Sequence, residues 1–132
     1  MAKSKLDPIQ RRNLLWGPKS TPESLKAAGR EHLAAGADYE ALQFFVRSQD
    51  VDGFRSLLAR AVERGDSFLL AQVDQAHPGI VTAEHYSETA GRAESLEKYR
   101  YAVWGYEKAG DEAARKRVEE KLIGAQESSD AG

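Results

Sequence analysis

The chain has 132 residues, 41% hydrophobic and 30% charged, the ordinary balance of one soluble globular domain, and at that length it can bury roughly two thirds of its unfolded surface. It has no cysteine, which excludes a disulfide framework, a thiol nucleophile and any cysteine-ligated zinc or iron–sulfur site. The net charge of −2 is unevenly spread: residues 1–30 hold seven Lys/Arg against two Asp/Glu, a net +5, and the rest hold twelve against nineteen, a net −7. No apolar run approaches the ~18 residues that cross a bilayer. Met1-Ala2-Lys3-Ser4-Lys5 leads into no signal-peptide core, so no membrane partner and a cytoplasmic location are expected.

Residues 1–20 read as a basic arm, its first six residues disordered. Asp7-Pro8 opens a short helix over 8–16, with Asp as cap and Pro where a missing N–H costs nothing. Its apolar content is Ile9, Leu14, Leu15 and Trp16, and Gly17-Pro18 stops it. Ser20-Thr21-Pro22-Glu23 is the next start. Ser20 with Glu23 fits a capping box and Thr21 before Pro22 a simple cap; the spacing does not decide between them.

Helix then follows helix. Leu25, Ala28, Gly29, His32 and Leu33 make one face, ending near Gly36. Asp38 restarts the chain with Ala41, Leu42, Phe45 and Val46 buried, and Asp50 restarts it with Val51, Phe54, Leu57, Leu58, Ala61 and Val62. Asp66 opens a helix burying Phe68, Leu69, Val73 and Ala76, broken by His77-Pro78-Gly79. Thr82 starts a helix to about Glu94, Ser95 caps one through Ala109, and Asp111 caps the last, to about Ile123. Only Gly79-Ile80-Val81 is strand-like, too short to nucleate a sheet. Residues 124–132 lack an apolar face and read as a disordered tail.

The fold class is all-α. Joints this short lay successive helices antiparallel, giving hairpins over about 24–48, 51–77 and 83–109 and a closing helix 111–123. The clearest stretch is Ala102–Val118, a helix–turn–helix joint with Tyr99, Ala102, Val103 and Tyr106 on its buried face. Residues 102–111 match residues 41–50 in small residue, ring, cation, small residue and cap. Two-helix repeats near 30 residues are the mark of an α-solenoid.

These residues resemble the tetratricopeptide-repeat (TPR) superfamily across about residues 21–123. The first hairpin carries Leu25, Ala28, Gly29, His32, Ala41, Phe45 and Ser48 at the pattern's positions, and the third carries Tyr86, Ala90, Ala93, Ala102, Tyr106 and Ala109. The middle hairpin departs from it, with Leu70 in place of a small residue and Asp74 in place of an aromatic. The resemblance implies a right-handed α-solenoid of about three hairpins plus a C-terminal capping helix. It also implies small residues where backbones approach (Gly29, Ala90) and rings that fill the gap between repeats (Phe45, Tyr106). The first helix of each hairpin would line a peptide-binding groove with Lys26, Arg30, Arg55, Glu84 and Glu88, basic at one end and acidic at the other. Trp104 is the expected binding hot spot.

Catalytic motifs are missing. The sequence has no Gly-rich phosphate loop and no Gly-x-Ser-x-Gly elbow, and Glu119-Glu120 sits on a solvated helix. His32 falls on a buried stripe and reads as a core histidine. Asp74, His77, Glu84 and His85 surround the Pro78-Gly79 turn without a metal-binding spacing. The expectation is a non-enzymatic module or adaptor, without metal or cofactor, that binds a peptide or helix of a partner protein. The alternative is nucleic-acid binding by the arm, with Lys3, Lys5, Arg11, Arg12 and Lys19 on phosphates and Trp16 stacked on a base. A third reading docks helix 8–16 into a partner or into a second copy of the chain.

Overall fold

The computed structural model describes residues 7–16 and 20–131, the side chains of 128–131 excepted. Lys3, Lys5, Lys19 and the Gly17-Pro18 stop lie outside the described residues. The rest is helical: α1 (Pro8–Trp16), α2 (Pro22–Ala34), α3 (Asp38–Ser48), α4 (Val51–Arg64), α5 (Ser67–Ala76), α6 (Ala83–Ser95), α7 (Tyr99–Ala109) and α8 (Glu112–Ala131). No strand occurs among the described residues, and Gly79–Val81 is part of a turn. No helix there is long and apolar enough to cross a membrane.

Side-chain oxygens on orphan first-turn N–H groups start most of the helices. Thr21 accepts from the Ser24 amide at 3.1 Å and the Ser24 hydroxyl accepts from the Thr21 amide at 3.0 Å, so the box partner is Ser24. Ser20 instead donates to the Leu14 carbonyl. Asp50 accepts from the Gly53 amide at 3.2 Å, Asp66 from Leu69 at 3.0 Å and Asp111 from Ala114 at 3.1 Å. Thr82 forms a box with His85. One expected cap fails: Ser95 is the last residue of α6, donating to the Arg92 carbonyl, while Asp38 restarts the chain as the buried first residue of α3. The residues at the N-caps of α3 and α7, Ala37 and Lys98, make no side-chain cap bond.

These ends recur at a constant offset of 61 residues. Pro22–Ala34 corresponds to Ala83–Ser95, Asp38–Ser48 to Tyr99–Ala109, and the starts of α4 and α8 to each other. The same offset relates the capping threonines Thr21 and Thr82 and the capping aspartates Asp50 and Asp111. It also relates the turn bonds Ala37 N–H to His32 and Lys98 N–H to Ala93. Left-handed residues pair in the same way: Gly36 (φ 81°) with Glu97 (φ 60°), and Gln49 (φ 53°) with Gly110 (φ 79°). Each pair holds one glycine and one residue with a Cβ, for which this backbone costs about 1–2 kcal/mol. Gln49→Gly and Glu97→Gly are therefore expected each to raise stability by about 0.5–1 kcal/mol after the extra chain entropy of glycine is deducted. The midpoint of urea unfolding checks it.

The chain divides into two compact units at Leu57/Leu58, inside α4. In the first, α1 packs on α2 and α3, and α2 packs along α3. Its core gathers Leu15, Leu25, Ala28 and Phe44, with Leu14 alongside. His32 is a core histidine: its ring lies 4.8 Å from that of Phe44, and Nδ1 donates to the Ala28 carbonyl at 2.7 Å. The Phe45 ring is fully buried between Gly29 and Gly53; a Cβ on either would come within 2.4 Å of it. Val46, expected in the core, is 48% exposed, and Phe44 is buried instead, because α1 covers that side of α3.

In the second unit, α5 packs on α6 and α7, and α7 packs along both α6 and α8. Ala90, Ala93, Ala102, Tyr106 and Val118 form its core. Gly105 brings neighbours close: an added Cβ would lie 2.8 Å from Ser67 Oγ and 2.9 Å from the Ala90 Cβ. α8 runs past Ile123 to Ala131. Extending an existing helix needs no new nucleus, so 124–131 continue it without an apolar face.

Candidate functional site

α7 presents Lys98, Tyr101, Trp104 and Lys108 at spacings of three, three and four, which place them along one face. α5 adds Phe68. Asp66 caps α5, and the next residue, Ser67, donates to the Tyr101 carbonyl at 2.8 Å, tying the first turn of α5 to α7. The Phe68 ring meets Tyr101 edge-on at 4.8 Å (75°) and lies tilted against Trp104 at 5.0 Å (34°). Trp104 meets Tyr86 edge-on at 6.2 Å. Lys98 Nζ lies 6.0 Å from the Tyr101 centroid and Lys108 Nζ 5.2 Å from that of Trp104. Such cation–π contacts contribute about 0.5–1 kcal/mol each at exposed sites.

Tyr101 and Trp104 are half-buried, whereas Phe68 is 40% exposed. Sequence periodicity assigned Phe68 to the core. It faces out because Ser67, not Phe68, takes the position against Gly105. Tyr86 anchors the inner side: its hydroxyl donates to Asp74 at 3.1 Å, and burial first, then that bond, pushes its pKa up to about 12. Beside the strip, a cavity of about 530 Å³ opens among Asp66, Glu97, Lys98, Tyr99, Arg100, Tyr101, Leu122 and Ala125.

Of the other expected groove residues, Lys26 is half-buried and Arg55 exposed. The Arg30 guanidinium donates to buried Asp50 at 3.3 Å, so its charge serves the start of α4. Glu84 and Glu88 are exposed, and Glu84 lines a second cavity of about 460 Å³ with Ser87 and Asp111. On the arm, Arg11 is half-buried 3.9 Å from Glu40, while Arg12 is exposed. Trp16 is 67% exposed beneath the Arg47 guanidinium, 4.9 Å from its centroid. Among the turn residues considered for a metal, His85 is engaged in the Thr82 capping box and Asp74 holds Tyr86. The described residues contain no group of three or more His, Asp or Glu placed to hold a metal ion.

Glu94 is a strongly perturbed carboxylate. Arg117 pairs with it, Lys121 Nζ lies at 2.6 Å and the Tyr106 hydroxyl donates at 3.2 Å, joining α6, α7 and α8. The Arg117 bonds, assisted by Lys121 and opposed by burial, lower its pKa from 4.5 to about 2. The folded value is below the unfolded one, so the stabilisation is full above about pH 4.5 and is lost as pH falls towards 2. Glu94→Gln should cost about 1–2 kcal/mol at pH 7, with the two proteins converging in urea-unfolding free energy near pH 2.

No protein-family model, curated protein or solved structure matches the chain.

Proposed function

We propose that the chain is a non-enzymatic interaction module or adaptor that binds a peptide or helix of a partner protein through the aromatic face of α5 and α7. The observation that carries this reading is Phe68, 40% exposed, bridging Tyr101 and Trp104 between two lysines. An exposed ring cluster with a charged rim is the composition of a protein-recognition patch, and Trp and Tyr are enriched at binding hot spots. The reading includes a TPR-like repeat and a right-handed α-solenoid of hairpins. The 61-residue recurrence of caps, turns and helix lengths supports the repeat, being close to two repeats of 30.

The test is capture of partners from the source lysate by wild type, Phe68→Ser and Trp104→Ala, with and without nuclease. A protein that survives nuclease and is lost with Phe68→Ser supports the reading. Capture indifferent to both variants removes it. Trp16 favours a second reading, in which Arg12, Trp16 and Arg47, with Lys3, Lys5 and Lys19, bind nucleic acid. Binding of that kind weakens steeply with salt, and a Trp16→Ala variant that retains it overturns the assignment.

A further inference from the structure

The strip on α7 has a cation at each end and rings between. Lys98, the residue before α7, and Lys108, in its last turn, stand ten residues apart, about 15 Å along the axis at 1.5 Å per residue. Lys98 Nζ donates to the Arg64 carbonyl at 2.9 Å and Lys108 lies only over Trp104, so neither ammonium has a carboxylate partner among the described residues. Glu107, next to Lys108, points about 100° around the helix from it. Two unneutralised charges therefore frame an exposed apolar ring.

We infer that this strip binds an extended acidic peptide whose two carboxylates, about four or five residues apart, reach Lys98 and Lys108 while an apolar side chain between them covers Phe68. The spacing follows from ~3.3 Å per residue of extended chain. Charge complementarity selects this occupant. A single-stranded nucleic acid fits less well, because bases need open ring faces. Here the rings pack on one another at 4.8 and 5.0 Å, and two of them lie under ammonium groups. Residues 58–132 also carry ten Lys/Arg against fourteen Asp/Glu, a net −4 that repels a polyanion reaching beyond the two lysines. The inference rests on the interaction-module reading and specifies its ligand.

The experiment is fluorescence anisotropy of the full chain with three labelled decapeptides. Each has a central leucine in a Gly/Ser background, flanked five residues apart by Glu, Gln or Lys; labelled oligo-dT is the fourth probe. The Glu peptide is expected to bind about tenfold tighter than the Gln peptide at low salt, and the Lys peptide weakest. Lys108→Glu, which leaves one cation and one anion on the strip, should abolish the preference for the Glu peptide with the helical circular dichroism unchanged, and Phe68→Ser should weaken the Glu and Gln peptides alike. Lys98→Gln is the second variant, since Lys98 also holds the Arg64 carbonyl. Equal binding of the Glu and Gln peptides overturns the inference and leaves the interaction-module reading standing. So does failure of all three peptides while Phe68→Ser still abolishes capture from lysate. Preferential binding of oligo-dT that competes at Phe68 overturns both.

Discussion

Gly53→Ala is expected to lower stability by about 2–3 kcal/mol, as overpacking a closed core does, although alanine in a helix interior ordinarily gains about 1 kcal/mol over glycine. The added methyl would sit 2.4 and 2.5 Å from two Phe45 ring carbons, far inside van der Waals contact. The ring cannot retreat toward α2, because Gly29 holds it as closely from the other side. Packing therefore overrides propensity. At the 61-residue offset Phe45 becomes Tyr106, Gly29 becomes Ala90 and Gly53 becomes Ala114. The second unit carries alanines at both flanking positions, with a ring whose hydroxyl reaches Glu94. Replacing Phe45 by leucine in the Gly53→Ala background should recover part of the loss. Urea unfolding followed by circular dichroism decides it, and an unchanged or higher midpoint for Gly53→Ala would show that the ring can move aside.

Gly105→Ala should cost about 2 kcal/mol by the same mechanism. Its methyl meets Ser67 Oγ at 2.8 Å, the Ala90 Cβ at 2.9 Å and the Tyr86 carbonyl at 3.3 Å. The consequence reaches the surface, because Ser67 holds the Tyr101 carbonyl and Phe68 is the next residue. Displacing Ser67 moves the ring that bridges Tyr101 and Trp104. In a Trp16→Phe background the only remaining tryptophan is Trp104, and Gly105→Ala is expected to shift its emission to the red. A shift without loss of stability would mean that the strip moves independently of the α5–α7 contact; loss without a shift would uncouple it from Ser67. The corresponding residue in the first unit is Phe44, which fills that unit's core with Leu15, Leu25 and Ala28.

The sequence by itself determined the all-α class, the short helix over 8–16, most helix starts and the repeated joint at 41–50 and 102–111. Those signals are local: an aspartate or threonine reaching its own first turn, a glycine or proline at a stop, an apolar stripe of helical period. It did not reveal that the offset of 61 extends over whole helices, since Asp38 and Tyr99, or Gly36 and Glu97, share backbone geometry and not chemistry. Ser95 misled for a related reason: a hydroxyl can bond back to its own helix as well as cap the next. Tertiary structure alone decided which of two nearby residues faces in. Val46 and Phe68 were apolar residues with room in the pattern, yet they stay at the surface because α1 selects Phe44 and Gly105 selects Ser67. Which neighbour approaches, and how closely, depends on side chains on another helix, and period along one helix carries no record of them.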